Sequence, residues 1–117
     1  QYKGRQITVA EALQGYRVLD FTHVLSGPIA TNFLCQQGAQ IIKVESSVGD
    51  TMRNYGSAQI TNGLGPSFVT VNSGKRSIVL DLKNPAHIEV AKKLVAKADV
   101  VVENFRPGVI ARLGLRK

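Results

Sequence analysis

Residues 17–45 read RVLDFTHVLSGPIATNFLCQQGAQIIKVE, and the reading of this stretch decides the fold. It opens on a short β-rich run, residues 17–22 (RVLDFT), and then passes through Ser26-Gly27-Pro28. Proline suits a first helical turn because its missing N–H would be unbonded there anyway, and Ser26 or Gly27 stands where a cap is needed. Ile29, Ala30, Phe33 and Leu34 follow as one apolar stripe at helical spacing, and Gly38 supplies a stop. Residues 39–45 (AQIIKVE) are β-rich again. Strand, tight turn, helix, glycine and strand together make one βαβ unit.

The same punctuation continues downstream. Residues 77–82 (SIVLDL) predict a third strand, and Asn84-Pro85 gives a cap followed by proline at the first helical position. Ile88, Ala91, Leu94, Val95 and Ala98 then recur on one helical face, with Glu89, Lys92, Lys93 and Lys97 on the other. Residues 100–103 predict a fourth strand, and residues 107–113 a short helix that starts at Pro107 and stops at Gly114. Between the second and third strands, residues 46–76 carry Gly49, Gly56, Gly63, Gly65 and Gly74; a connection of this length signals function or a further element, and a short helix or turn is expected around residues 66–72. Strands alternating with helices imply right-handed crossovers and a parallel sheet. The expectation is therefore a Rossmann-like α/β fold, with residues 1–117 forming a single domain that is a large piece of a doubly wound layout.

Composition narrows the partner. Hydrophobic residues make up 44% and charged residues 20%, ordinary for a soluble globular domain. Fifteen basic residues against 8 acidic give a net charge of +7, which favours an anionic partner. The charges are spread over loops and the back of a helix, and the aromatic side chains are few, so nucleic acid is not the expected partner. No apolar run approaches the roughly 20 residues that span a bilayer. Residues 1–15 are polar, with Lys3 and Arg5 and no apolar stretch after them, unlike a signal peptide. Cys35 is the only cysteine, which fits a small core residue in a reducing compartment and a cytoplasmic location. Zinc-ligand spacing is absent, as are the dinucleotide and phosphate-loop glycine patterns and the nucleophile elbow of α/β hydrolases. No metal site and no tightly bound cofactor are expected.

In parallel sheets the ligand binds beyond the carboxyl ends of the strands. Those ends hold His23, Val24, Leu25, Ser26 and Gly27 after the first strand, Glu45 and Ser46 after the second, Asp81 and Lys83 after the third, and Asn104, Phe105 and Arg106 after the fourth. With Arg112 from the last helix, this edge is polar, basic and partly aromatic, a bed for an adenine ring and phosphates, which arginine grips with paired hydrogen bonds. Helix starts at Pro28, Pro85 and Pro107 would add N–H donors there. Plainer roles stand beside these. His23 suits a hydrogen-bonded structural histidine, and Lys75-Arg76 a solvated turn before a strand. Asp81 suits an acceptor for backbone amides or a partner of Lys83 or Arg76, and Asn104 suits satisfaction of loop groups.

Several segments in register carry a family resemblance. Leu13-Gln14-Gly15 leading into RVLDFTHVLSGP, then GAQIIKVE, Gly49-Asp50, NSGKRSIVLDLKNP and ADVVVENFRPGV resemble the N-terminal part of the family III CoA transferases, the group with formyl-CoA and carnitine CoA transferases. The resemblance implies that coenzyme A or an acyl-CoA is held as substrate by Val24, Leu25, Ser46, Leu80, Asp81, Leu82, Lys83, Asn104, Phe105, Arg106 and Arg112. It also implies transfer of CoA between an acyl-CoA and a carboxylic acid through an attacking aspartate, which the family pattern places beyond Lys117. No catalytic residue is therefore expected in this chain, which on its own would bind without turnover. Two positions depart from the family pattern: oxalate-type members carry glutamine where Leu25 stands, and many members carry arginine where Ser46 stands. The α-methylacyl-CoA racemases share the same N-terminal pattern, so a racemase segment stays open. So does a truncated nucleotide-binding or self-associating module. Family members form interlocked dimers, which implies a homo-oligomer or association with the remainder of a longer chain.

Overall fold

A computed structural model describes residues 11–56 and 63–117; the polar start containing Lys3 and Arg5 lies mostly outside the described residues. Four strands form one sheet: β1 (Arg17–Asp20), β2 (Gln40–Glu45), β3 (Arg76–Val79) and β4 (Val100–Val102). All pairings are parallel and the order is β3-β2-β1-β4, with Val18 opposite both Ile41 and Val100. This is the order in which a doubly wound sheet begins. The chain reverses its direction of travel across the sheet between β1 and β4, so the topological switch point, where such folds bind ligands, lies at their carboxyl ends.

The helices α1 (Ser26–Gln36) and α2 (Pro66–Asn72) cover one face, and α3 (Pro85–Lys97) crosses the other, while the short α4 (Val109–Arg112) follows β4. Alternation along the strands sorts side chains between the two faces. Leu19, Phe21, Val44 and Leu80 pack with Ala91 and Val95 of α3 and with Ala98 just after it, and Leu115 closes that core. Val18, Ala39 and Ile41 pack on the opposite face against Leu34 and Cys35 of α1.

Sequence expectations hold for the type and order of the strands and helices, with shorter bounds. The first strand ends at Asp20 because Phe21 and Thr22, both buried, have already turned out of the ladder, with only the Phe21 N–H still reaching the Val102 carbonyl. The third runs from Arg76 to Val79 and so starts one residue earlier and stops three earlier than expected. The helix at residues 66–72 forms, with Pro66 in its first turn. A 3-10 turn at Thr51–Asn54, capped by the Asp50 side chain accepting from the Met52 N–H, has no counterpart in the sequence reading. Pro28 falls in the first turn of α1 as expected, at the third helical position, with Leu25 as the cap residue. The expectation at Pro107 fails: α4 begins at Val109 after Gly108 in a left-handed conformation, so Pro107 lies outside it. Asn84 and Pro85 behave as expected: the Asn84 side chain accepts from the Ala86 N–H at 2.9 Å. Gly38 ends α1 with φ +100°, a conformation glycine adopts without a Cβ penalty.

Candidate functional site

The carboxyl ends of the strands enclose a cleft of about 200 Å³ on the α3 side of the sheet. Ser46 lies on one wall, residues 80–83 on another, and Phe105 with His23 on a third. Phe21 and Phe105 contribute tilted rings whose centroids are 6.1 Å apart. Of the predicted residues, Ser46, Leu80, Asp81, Leu82, Lys83 and Phe105 therefore meet at one cleft. Val24, Leu25, Asn104, Arg106 and Arg112 do not line it. Arg106 and Arg112 are exposed around α4, where the Arg112 guanidinium lies over Gly108. Pro107 does not open α4, which starts at Val109, and the Val109 N–H already donates to the Arg106 carbonyl at 3.2 Å.

The walls of the cleft are held by local polar ties. The Asp81 side chain accepts from the Lys83 N–H at 3.0 Å, as an acceptor in a loop should, and the Asp81 N–H donates to His87 Nδ1 at 2.8 Å. Asn104 brackets His23: its side-chain amide donates to the His23 carbonyl at 3.0 Å, while its oxygen accepts from the His23 N–H at 3.3 Å. This pair ties β1 to β4 across the switch point, giving Asn104 the loop-satisfying role expected of it and anchoring His23 through its backbone.

Beneath the turn after β1 lies a set of buried charges that sequence reasoning missed. Asp20 is 0% exposed; it accepts from the Thr22 N–H at 2.8 Å, from the Thr22 hydroxyl, from the Thr31 hydroxyl at 2.6 Å and from Lys75 Nζ at 3.3 Å. Lys75 is thus a buried partner of Asp20 instead of part of a solvated turn, while Arg76 beside it is exposed as expected. Burial holds the Lys75 ammonium below its ordinary range, and the Asp20 charge offsets this only in part. Lys43 pairs with Asp50 at 3.0 Å and donates to the Thr22 carbonyl at 2.9 Å. Glu45 receives Arg53 through two parallel bonds of 2.8 and 2.9 Å, and the Arg53 guanidinium stacks 4.2 Å from the Phe68 ring centroid. Burial opposes ionisation of both Glu45 and Asp50. For Glu45 the Arg53 bonds outweigh it; for Asp50 the Met52 N–H and Lys43 do, and both carboxyls end below their ordinary range. Every buried side-chain nitrogen and oxygen among the described residues has a partner. No local sequence signal marks these pairs: Asp20 and Lys43 come to sit opposite each other, both pointing away from α3, only once the strands are in register.

Above these pairs, Val24 has φ +73°, the one non-glycine residue among those described with a positive φ. In a β-branched residue such backbone costs about 1–3 kcal/mol and persists only where surroundings impose it.

A sequence model described as CoA-transferase family III matches residues 13–117. The chain belongs to CoA-transferase family III. A formyl-CoA:oxalate CoA-transferase from Bradyrhizobium sp. is 51% identical over 107 residues, covering 91% of this chain and 25% of that protein. Another from Afipia carboxidovorans is 49% identical over the same length, with the same coverage. Among solved structures, a CAIB/BAIF family protein from Brucella suis superposes with a TM-score of 0.86 at 38% identity, over 93% of this chain and 30% of its own. The protein Rv3272 from Mycobacterium tuberculosis superposes with a TM-score of 0.80 at 41% identity, over 92% of this chain and 29% of its own. The chain thus spans about a quarter of the length of the curated relatives it matches, and the α/β architecture is that of its family III neighbours. Among the described residues no helix is long and apolar enough to cross a membrane, and no group of three or more His, Cys, Asp and Glu side chains could hold a metal.

Proposed function

We propose that this chain is the CoA-binding N-terminal domain of a family III CoA transferase, a part of the full family fold. One observation carries the reading: Ser46, residues 80–83 and Phe105, drawn from three separate loops, meet at one cleft beside the switch point. The half-buried Phe105 ring, backed by the buried Phe21, offers apolar surface for an adenine. Lys83 on the cleft wall, with Arg106 and Arg112 exposed around α4, offers charge for phosphates, in keeping with a net charge of +7. Val24, Leu25 and Asn104 form the turn and its anchor at the side where the pantetheine arm would leave.

The domain positions CoA and does not itself attack the acyl group. Asp20 and Asp50 are buried in ion pairs. Asp99 accepts from the Arg17 N–H at 2.8 Å, and Glu103 from the Phe105 N–H at 2.8 Å. Asp81 is engaged with Lys83. A nucleophilic carboxylate must face the thioester carbonyl; of the described acidic residues only Glu45 and Asp81 line the cleft, the first paired with Arg53 and the second capping the Lys83 N–H. Oxalate is not assigned as the acyl acceptor, because Leu25 replaces the glutamine that the oxalate-type pattern carries. Association with further protein, a second copy or the remainder of a longer family member, belongs to the same reading: Phe33 is 62% and Val79 57% exposed.

Calorimetric titration with CoA tests the site. Binding is expected, with Lys83→Ala and Arg106→Ala each losing about 1–3 kcal/mol, as for a charged contact. Equal affinity in wild type and both variants would remove these cations from the site, and absence of CoA binding by the folded wild-type chain would remove the reading.

A further inference from the structure

The left-handed turn at Val24 is not repaid by packing. Val24 and Leu25 are each 47% exposed, so neither is anchored in the core. Polar ties hold it instead. Both oxygens of the Asp50 carboxylate accept from the Val24 N–H at 3.2 Å. The same carboxylate is fixed by Lys43 at 3.0 Å and by the Met52 N–H at 3.0 Å, and Lys43 also reaches back to the Thr22 carbonyl at 2.9 Å. Asn104 pins His23, the residue before Val24, through two bonds. Asp50 and Lys43 are both 1% exposed, so their pair is shielded from competing water. On the helix side, a Cβ on Gly27 would run into the Thr22 side chain, so the two ends of the turn approach closely there.

We propose that Asp50, held by Lys43, is a positioning residue that imposes the left-handed turn at Val24 and so presets the entrance of the CoA cleft. The proposal rests on the CoA reading for its functional half and on the turn geometry alone for its structural half. Without the Asp50 tie, Val24 relaxes to an ordinary backbone conformation, and the residues from His23 to Leu25 no longer flank the cleft in one fixed shape. A ligand that needs the fixed shape then binds with an affinity reduced by the fraction of molecules still holding it.

The test uses the 117-residue chain with two readouts: amide hydrogen exchange at residue 24 by NMR, and titration with CoA. Wild type should protect the Val24 amide. Asp50→Ala should speed its exchange and, if the competent turn falls to about a tenth of the population, weaken CoA binding about tenfold. Adding Val24→Gly to Asp50→Ala should restore most of the affinity, because glycine enters the left-handed region freely. A residue needed only for folding would show no such rescue. Val24→Gly alone, at an exposed position, should keep its amide protected and raise the melting temperature; it decides the matter if Asp50→Ala does not fold. Unchanged exchange at Val24 in Asp50→Ala, or a Val24→Gly chain that loses amide protection, overturns the proposal. If wild type takes up no CoA while Asp50→Ala still frees the Val24 amide, the CoA reading fails and the turn assignment survives.

Discussion

The two faces of the sheet are built from the same four strands by different means. Toward α3, Leu19, Phe21, Ile42, Val44, Ile78, Leu80 and Val101 form an uninterrupted apolar surface. Toward α1 and α2, Val18 and Ile41 are apolar at the amino end, and Asp20, Lys43 and Glu45 follow at the carboxyl end. The first face is stabilised by removal of apolar area from water, which is non-directional and tolerates small shifts. The second depends on ion pairs at fixed distances, which are a poor source of net stability but fix positions. The directional face lies directly beneath the turn that carries Val24, and the non-directional face carries the cleft floor.

The comparison breaks most visibly if one charge is removed. Asp20→Ala leaves Lys75 buried without its counter-charge and is expected to cost about 3–5 kcal/mol, a large part of the 5–15 kcal/mol available to a typical domain. Leu19→Ala, one residue away on the apolar face, is expected to cost about 2–5 kcal/mol through lost transfer energy and a cavity. Urea denaturation followed by circular dichroism separates the two. The discriminating partner is Asp20→Asn, which keeps the shape but not the charge. It should remain severe, whereas Leu19→Met on the other face should be mild. A mild Asp20→Asn would mean that the charged face tolerates loss of charge as the apolar face tolerates a change of shape.

Acid should act on one face only. Glu45 and Asp50 have folded-state pKa values below their ordinary values of 4.5 and 3.8. A depressed carboxyl pKa contributes stability that is fully present above the ordinary value and is lost as pH falls through the folded one. Stability should therefore hold from neutral pH down to about 4.5 and decline below it, and the decline should flatten in Asp50→Asn if that variant folds. Thermal melts at stepped pH check both; a decline beginning well above pH 5 would point to other groups. The smallest effect belongs to neither face. Lys92 and Glu89 pair at 3.2 Å on the solvent side of α3, and Glu89→Ala should change stability by no more than about 0.5 kcal/mol. A larger loss would show that the outer surface of α3 is packed against something.

Much of the apolar face was legible in the sequence because periodicity is a local signal. Ile88, Ala91, Leu94 and Val95 announce α3, and the runs at residues 17–22 and 77–82 announce their strands. The place of the cleft was legible because clefts in a parallel sheet open beyond the strand ends, and Ser46, Leu80 to Lys83 and Phe105, which line it, follow theirs. The charged face was not. Asp20 and Lys75 are 55 positions apart, and their pairing exists only after β2 and β3 are in register. Lys43 reads as an ordinary polar break in QIIKVE until the sheet buries it. Asp50 sits in a glycine-rich connection that carries no periodic signal. Pro107 misled because proline is permitted in several positions near a helix start, and local sequence does not choose among them. Arg106 and Arg112 were placed by strand-end position and again by resemblance; both stand exposed around α4, outside the cleft lining.

The strand order also has a consequence for synthesis. β1 is central in the finished sheet, with β2 on one side and β4 on the other, yet Val100, the partner of Val18, leaves the ribosome long after Ile41. At roughly 5–20 residues per second, the interval between completing β2 and completing β4 is about 3–11 s. For that time β1 is an edge strand whose open N–H and C=O groups face the cell. Its carboxyl end carries Asp20, whose charge stays hydrated until Lys75 is made. A charge pointing inward on a temporary edge discourages pairing with a foreign strand, so a residue that anchors the finished fold also guards the unfinished one.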